Sequence, residues 1–159
     1  MYEKLTQRME QIIKLSQQIA REFEQDYVGT EHLLLAILRE GSGVGAAVLN
    51  EAGVTLARTK EIIDRHIKSS MEDTWVFGRL PGTPHFRNVM ATAIEEARQF
   101  ESKEVCSEHL LMALARETGS VAQVTLEEMG IRAGTLRARI QKYLESAAGS
   151  PSISETGGA

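Results

Sequence analysis

An all-α fold of two pseudo-symmetric four-helix repeats, packed as one compact domain, is predicted by three observations. The segment GTEHLLLAILREG at 29–41 returns as CSEHLLMALARET at 106–118. Apolar side chains recur at helical spacing through both copies. Glycines stand between the apolar stripes of both copies, where helices stop, with Gly53 and Gly130 at equivalent places. Placing His32 on His109, 77 positions further on, superposes Glu31, Leu33, Leu34, Ala36, Arg39 and Glu40 on Glu108, Leu110, Leu111, Ala113, Arg116 and Glu117. The match continues through Val44 and Val121, Leu49 and Leu126, Gly53 and Gly130, and back to Thr6 and Thr83, Ala20 and Ala97, Phe23 and Phe100. A self-match over roughly sixty residues marks a unit that buries its apolar face against its own copy.

The elements follow in order. Met9, Ile12, Ile13, Ile19, Ala20 and Phe23 form one stripe, and Phe86, Val89, Met90, Ala93, Ala97 and Phe100 its counterpart, which predicts two long first helices. Thr6 and the Thr83-Pro84 pair are their expected N-caps, because a Thr hydroxyl accepts a helix-start amide and proline at the first helical position forfeits no hydrogen bond. Thr30 and Ser107 are expected to cap the second helices in the same way. Gly41 to Gly45 breaks the chain before a third helix near 44–52, Gly53 ends it, and a fourth runs from about Thr55 to Ile67. Gly119 and Gly130 punctuate the second copy, whose last helix carries Leu136, Ile140 and Leu144. Repeat one is thus expected over 2–68, a linker over 69–82, repeat two over 83–145, and a disordered tail over 147–159, where AAGSPSISETGGA is too poor in apolar side chains to offset the entropy of ordering.

Composition excludes several classes. Eighteen Lys and Arg against 22 Asp and Glu give a net charge of −4 with no basic stripe, which argues against a phosphate-backbone partner and hence against nucleic acid. No apolar run approaches the roughly 18 residues of a membrane span, and MYEKLTQRMEQ lacks an apolar signal core. The single Cys106 suits a reducing compartment, so the expectation is a cytoplasmic protein, monomeric in isolation, with neither membrane nor cofactor.

The candidate chemistry is sparse. Lys14, Lys60, Lys68, Lys103 and Lys142 lack the glycines of a phosphate-binding loop. His32 and His109 each follow a Glu, yet the positions one turn away, 28, 36, 105 and 113, hold Val, Ala, Val and Ala, so no metal pair forms. The expected role of each imidazole is a bond to a neighbouring backbone group that orders the preceding loop. Cys106 has His109 one turn on, but no third group to orient a base, and its equivalent in the first copy is Gly29. Glu31 and Glu108 sit in first helical turns, where a carboxylate complements the helix dipole by about 0.3–1 kcal/mol.

The paired GTEH and SEH helices, the GSGVGAAVL turn and the Thr-capped first helices resemble the tandem N-terminal repeat of the Clp family of AAA+ protein unfoldases, most of all its ClpC type. The resemblance covers about residues 2–145, within a domain placed at 1–146. It implies a non-enzymatic domain that receives protein substrates and adaptor proteins for a Clp motor carried in cis or in trans. It also implies a phosphoarginine pocket in each copy, Thr6 with Glu31 and Thr83 with Glu108, in which Glu takes the guanidinium and Thr with helix amides the phosphate. The sequence departs from the family where an aromatic usually precedes each capping Thr, since Leu5 and Gly82 stand there, and where Cys106 replaces a Gly. Gly82 and Cys106 are together expected to weaken the Glu108 pocket. The competing readings are a stand-alone regulator without its own motor and a helical enzyme using Glu31, Glu108 or Cys106.

Overall fold

A computed structural model of the chain describes residues 4–69 and 82–147. Eight helices form among them: α1 (Gln7–Glu22), α2 (Thr30–Glu40), α3 (Val44–Glu51), α4 (Leu56–Ser69), α5 (Pro84–Gln99), α6 (Ser107–Arg116), α7 (Val121–Glu128) and α8 (Ala133–Ala147). The predicted all-α class stands. Most of the expected linker and tail lies outside the described residues; Ser69 belongs to α4 and Ala147 to α8.

Within each repeat the first two helices make an antiparallel hairpin. At one end Arg8 pairs with Glu40 and Ser42, and at the other the ring of Phe23 meets His32. The second copy repeats both contacts, with His85 on Glu117 and Phe100 against His109. Between repeats the contacts are reciprocal. α3 packs on α6 and α8, while α7 packs on α2 and α4. That exchange of partners is the mark of a twofold relation, here between two halves of one chain. The result is a single hydrophobic core, including Ile12, Leu34, Leu49, Val89, Leu111 and Leu126, all fully buried, with Phe23 and Phe100 packed at its edge.

Two small features depart from the sequence reading. Lys4–Leu5 pairs in parallel with Glu104–Val105, and Val28 bridges Gly82 in the same sense, so the lead-in to each first helix is laid against the loop before the other repeat's second helix. Two-residue pairings are too short to leave a period in sequence. The second departure concerns caps. Thr6 and Thr83 do cap α1 and α5, accepting from Met9 N at 3.1 Å and Phe86 N at 3.0 Å. Thr30 and Ser107 do not cap α2 and α6, whose N-cap residues are Gly29 and Cys106. Their hydroxyls reach across the twofold instead: Thr30 Oγ1 accepts from Ala122 N of α7 at 3.2 Å, and Ser107 Oγ from Gly45 N of α3 at 3.0 Å. Each second helix thus satisfies an amide at the start of the other repeat's third helix. The approach at Gly45 is close, a Cβ there lying 3.0 Å from the Ser107 carbonyl oxygen, whereas the equivalent residue in the second copy is Ala122.

Candidate functional site

With no hydroxyl at the cap, α2 and α6 are capped by histidine. Gly29 N donates to His32 Nδ1 at 2.8 Å and Cys106 N to His109 Nδ1 at 2.9 Å, the backbone role expected of both rings. An accepting Nδ1 must be unprotonated. Burial lowers both imidazoles from 6.5 to about 4, with the Glu96 charge partly opposing this at His109. Between those values the unfolded chain binds more protons than the folded one, so the thermal midpoint should fall as pH drops from about 6.5 toward 4. His32→Asn and His109→Asn should each flatten that slope. A midpoint unchanged between pH 7 and 5 contradicts the cap.

Glu31 follows directly and is only 2% exposed. Its carboxylate folds back over Gly29, so closely that a Cβ at position 29 would lie 2.2 Å from Oε1, and the Tyr27 hydroxyl donates to Oε2 at 3.4 Å. Burial raises the Glu31 carboxyl above its ordinary range; its own backbone amide, Tyr27 and the charge of His85 partly oppose this. Tyr27 is pushed up to about 12, first by burial and then by Glu31. At the matching place in α6 stands Cys106, which carries the Cβ that this pose has no room for, before a Glu108 that is 5% exposed. The two acids are equivalent by position and unequal by setting.

The expected pairing of site residues needs correction. Thr6 stands at the end of the α1–α2 hairpin where Arg8 meets Glu40, whereas Glu31 starts α2 at the opposite end, about one helix length away at 1.5 Å per residue. Thr83 and Glu108 are separated in the same way. The cross-repeat bridges supply the true neighbours. Thr6 N donates to Val105 O at 3.2 Å, which sets the start of α1 beside the start of α6 and Glu108. Thr83 N donates to Val28 O at 3.1 Å, which sets the start of α5 beside Glu31. The structure therefore sets Thr6 on the Glu108 side and Thr83 on the Glu31 side, through the bridges to Val105 and Val28. Gly82 borders the Glu31 site and Cys106 the Glu108 site, so the two departures do not fall on one pocket. At Gly82 the Phe86 ring occupies the space, 2.8 Å from where a Cβ would start.

What sequence reasoning missed is a basic side chain just beyond each capping threonine. Arg8 and His85, equivalent in the two copies, stand two residues after the capping threonines, and each is held by the equivalent acid, Glu40 at 3.7 Å and Glu117 at 2.7 Å. The signal was present in the repeat alignment, where Glu40 and Glu117 coincide. Of the enzymatic candidates, Cys106 Sγ lies 3.7 Å from Glu104 O, while the His109 nitrogen facing its loop is occupied by the Cys106 amide. Among the described residues no three His, Cys, Asp or Glu side chains gather as a metal centre requires, and no single helix is long and apolar enough to cross a membrane.

The fold defines a tandem-repeat α-helical domain in which each second helix starts beside the first helix of the other copy. The model of the Clp repeat N-terminal domain matches residues 4–129 and 82–156, and the chain belongs to that family. It is 35% identical over 145 residues to the ATP-dependent Clp protease ATP-binding subunit ClpA homolog of Trieres chinensis, covering 91% of this chain and 16% of that protein. To the chloroplastic chaperone protein ClpC2 of Arabidopsis thaliana it is 34% identical over 140 residues, covering 88% and 14%. The chain thus spans about a sixth of the length of these relatives. Among solved structures, the N-terminal domain of ClpD from Arabidopsis thaliana aligns with a TM-score of 0.71 at 22% identity, over 89% of this chain and 95% of that one. A ClpV N-domain in complex with a VipB peptide aligns at 0.70 and 21% identity, over 96% and 91%. At those identities the likeness is one of fold.

Proposed function

We propose that the chain is the substrate- and adaptor-receiving N-terminal domain of a ClpC-like ATP-dependent unfoldase system, and that it recognises phosphorylated arginine at two composite sites, Glu31 with Thr83 and Glu108 with Thr6. The observation that carries this is the twofold juxtaposition of a buried carboxylate with the other repeat's helix start. A carboxylate favours the planar N–H donors of a guanidinium, and a helix start favours an anion, so together they match a group with one charge of each sign. The peptide seated on the ClpV N-domain supports a peptide-receiving role for this fold. The motor acts in cis or in trans, and the domain itself does no chemistry. A cytoplasmic setting fits its single buried thiol.

Calorimetry with phosphoarginine tests the proposal. Two sites per chain are expected, and Glu31→Ala and Glu108→Ala should each remove one, since a charge-assisted contact is worth about 1.5–3 kcal/mol, or roughly ten- to a hundredfold in affinity. The pairing has its own check. Glu31→Ala with Thr83→Ala should leave one intact site, whereas Glu31→Ala with Thr6→Ala should damage both. No heat on the unmutated chain, or binding that survives the double glutamate substitution, sinks the phosphoarginine reading and leaves protein docking alone.

A further inference from the structure

Tyr27 lies in the connection between α1 and α2. Its equivalent in the second copy is Glu104, so the repeat fold itself does not require a phenol there. In the first copy the side chains beside the start of α2 stand in file. Lys60 Nζ of α4 lies 5.7 Å from the centre of the Phe23 ring, Phe23 meets His32 edge-on at 5.9 Å, and His32 meets Tyr27 at 5.8 Å. The file ends on Glu31, whose Oε2 accepts from the Tyr27 hydroxyl at 3.4 Å. The second copy repeats the first part, with Arg137 5.6 Å from Phe100 and Phe100 5.4 Å from His109, and departs where Glu104 replaces the phenol.

Two devices thus act on the Glu31 carboxylate. Gly29 leaves it room to fold back, since a Cβ there would lie 2.2 Å from Oε1, and Tyr27 supplies a donor to the other oxygen. The second copy has neither, with Cys106 for Gly29 and Glu104 for Tyr27. The phenol is itself held, because His32 beside it is fixed through Nδ1 to the Gly29 amide and by the Phe23 ring.

We propose that Tyr27 is a positioning residue of the Glu31 site: its hydroxyl holds the Glu31 carboxylate in the pose over Gly29 that receives a guanidinium. The inference rests on the phosphoarginine reading and adds the residue that presets its acid, in one repeat only. A glutamate side chain left free must be ordered as the ligand binds, which costs affinity, whereas one fixed beforehand meets the guanidinium already in place. The phenol and the Glu31 amide together use two of the roughly four lone-pair sites of a carboxylate, which leaves two for the paired N–H donors of a guanidinium edge.

Two measurements test this, and the first needs no ligand. Burial, and then the charge and hydrogen bond of Glu31, push the Tyr27 phenol up to about 12, so Glu31→Gln should bring its ionisation down, as read from the ring resonances of isotope-labelled tyrosine. An ionisation unmoved by Glu31→Gln would mean that the phenol does not hold this acid, and overturns the proposal whatever the ligand. The second is phosphoarginine calorimetry. In a Glu108→Ala background, which leaves the Glu31 site, Tyr27→Phe keeps the ring against His32, removes the hydroxyl, and should weaken binding about fivefold with the thermal midpoint nearly unchanged. In a Glu31→Ala background the same change should leave the Glu108 site unaltered. If Tyr27→Phe leaves the affinity of the Glu31 site unchanged, or raises it as expected of a phenol that covers the acid, the proposal is overturned while the phosphoarginine reading stands. If the unmutated chain binds no phosphoarginine, that reading falls and takes this proposal with it.

Discussion

Leu34→Ala and Leu111→Ala should each lower the unfolding free energy by about 2–5 kcal/mol, the range for truncating a buried leucine. Both side chains are fully buried at equivalent positions of α2 and α6, and both belong to the one core that spans the repeats. Against a typical total of roughly 5–15 kcal/mol, either change removes a large share. The shape of the transition is as informative as its midpoint. Because each repeat's third helix packs on the other's second and fourth, damage to either copy should shift a single cooperative transition in thermal or urea unfolding. Two separable transitions, one sensitive to Leu34 and one to Leu111, would show halves that fold alone.

Arg116→Ala combined with Arg137→Ala should be almost as costly, about 3 kcal/mol, near the low end for stripping a buried charge of its partners because both guanidinium groups are partly exposed. Glu96 is fully buried in α5; Arg116 of α6 donates to its Oε2 at 2.5 Å and Arg137 of α8 at 2.8 Å. Burial pushes this carboxyl up, but the hydrogen bonds and charges of Arg137 and Arg116 outweigh it and hold it below 4.5. A depressed carboxyl contributes stability above its unfolded value and loses it as pH falls through the folded one. The double variant should therefore be hurt most near neutrality and should converge with the parent in acid. Glu96→Leu in the double-variant background should recover most of the loss, since what harms the core is the stranded charge. No recovery would place the cost in the packing of the arginine stems. The first copy holds Ile19, Arg39 and Lys60 at these places, so this network is private to the second.

The helices, both threonine caps and the glycine breaks were legible because each is a local decision written in residue type and period. Thr30 and Ser107 misled because a hydroxyl before an apolar run signals a cap, whereas the cap here is an imidazole three residues after a residue with no hydroxyl. Their real partners lie 92 and 62 residues away, beyond any local pattern. The site pairing went astray for a related reason. The repeat offset groups Thr6 with Glu31, but the short connection from Glu22 to Thr30 forces an antiparallel hairpin, and that places the starts of its two helices at opposite ends. The connection length was readable; the twofold that brings the other copy's acid to each start was not.

The bridges of Val28 to Gly82 and of Lys4–Leu5 to Glu104–Val105 have a consequence for descent. In the proposed pairing each site takes its acid from one copy and its helix start from the other, so a lone copy possesses both halves of a site and no whole one. Two such chains meeting face to face would complete two identical sites at once, as any self-complementary dimer does. Joining them into one polypeptide keeps both sites at any dilution and, because the copies can then mutate separately, lets them differ, as His85 and Cys106 differ from Arg8 and Gly29.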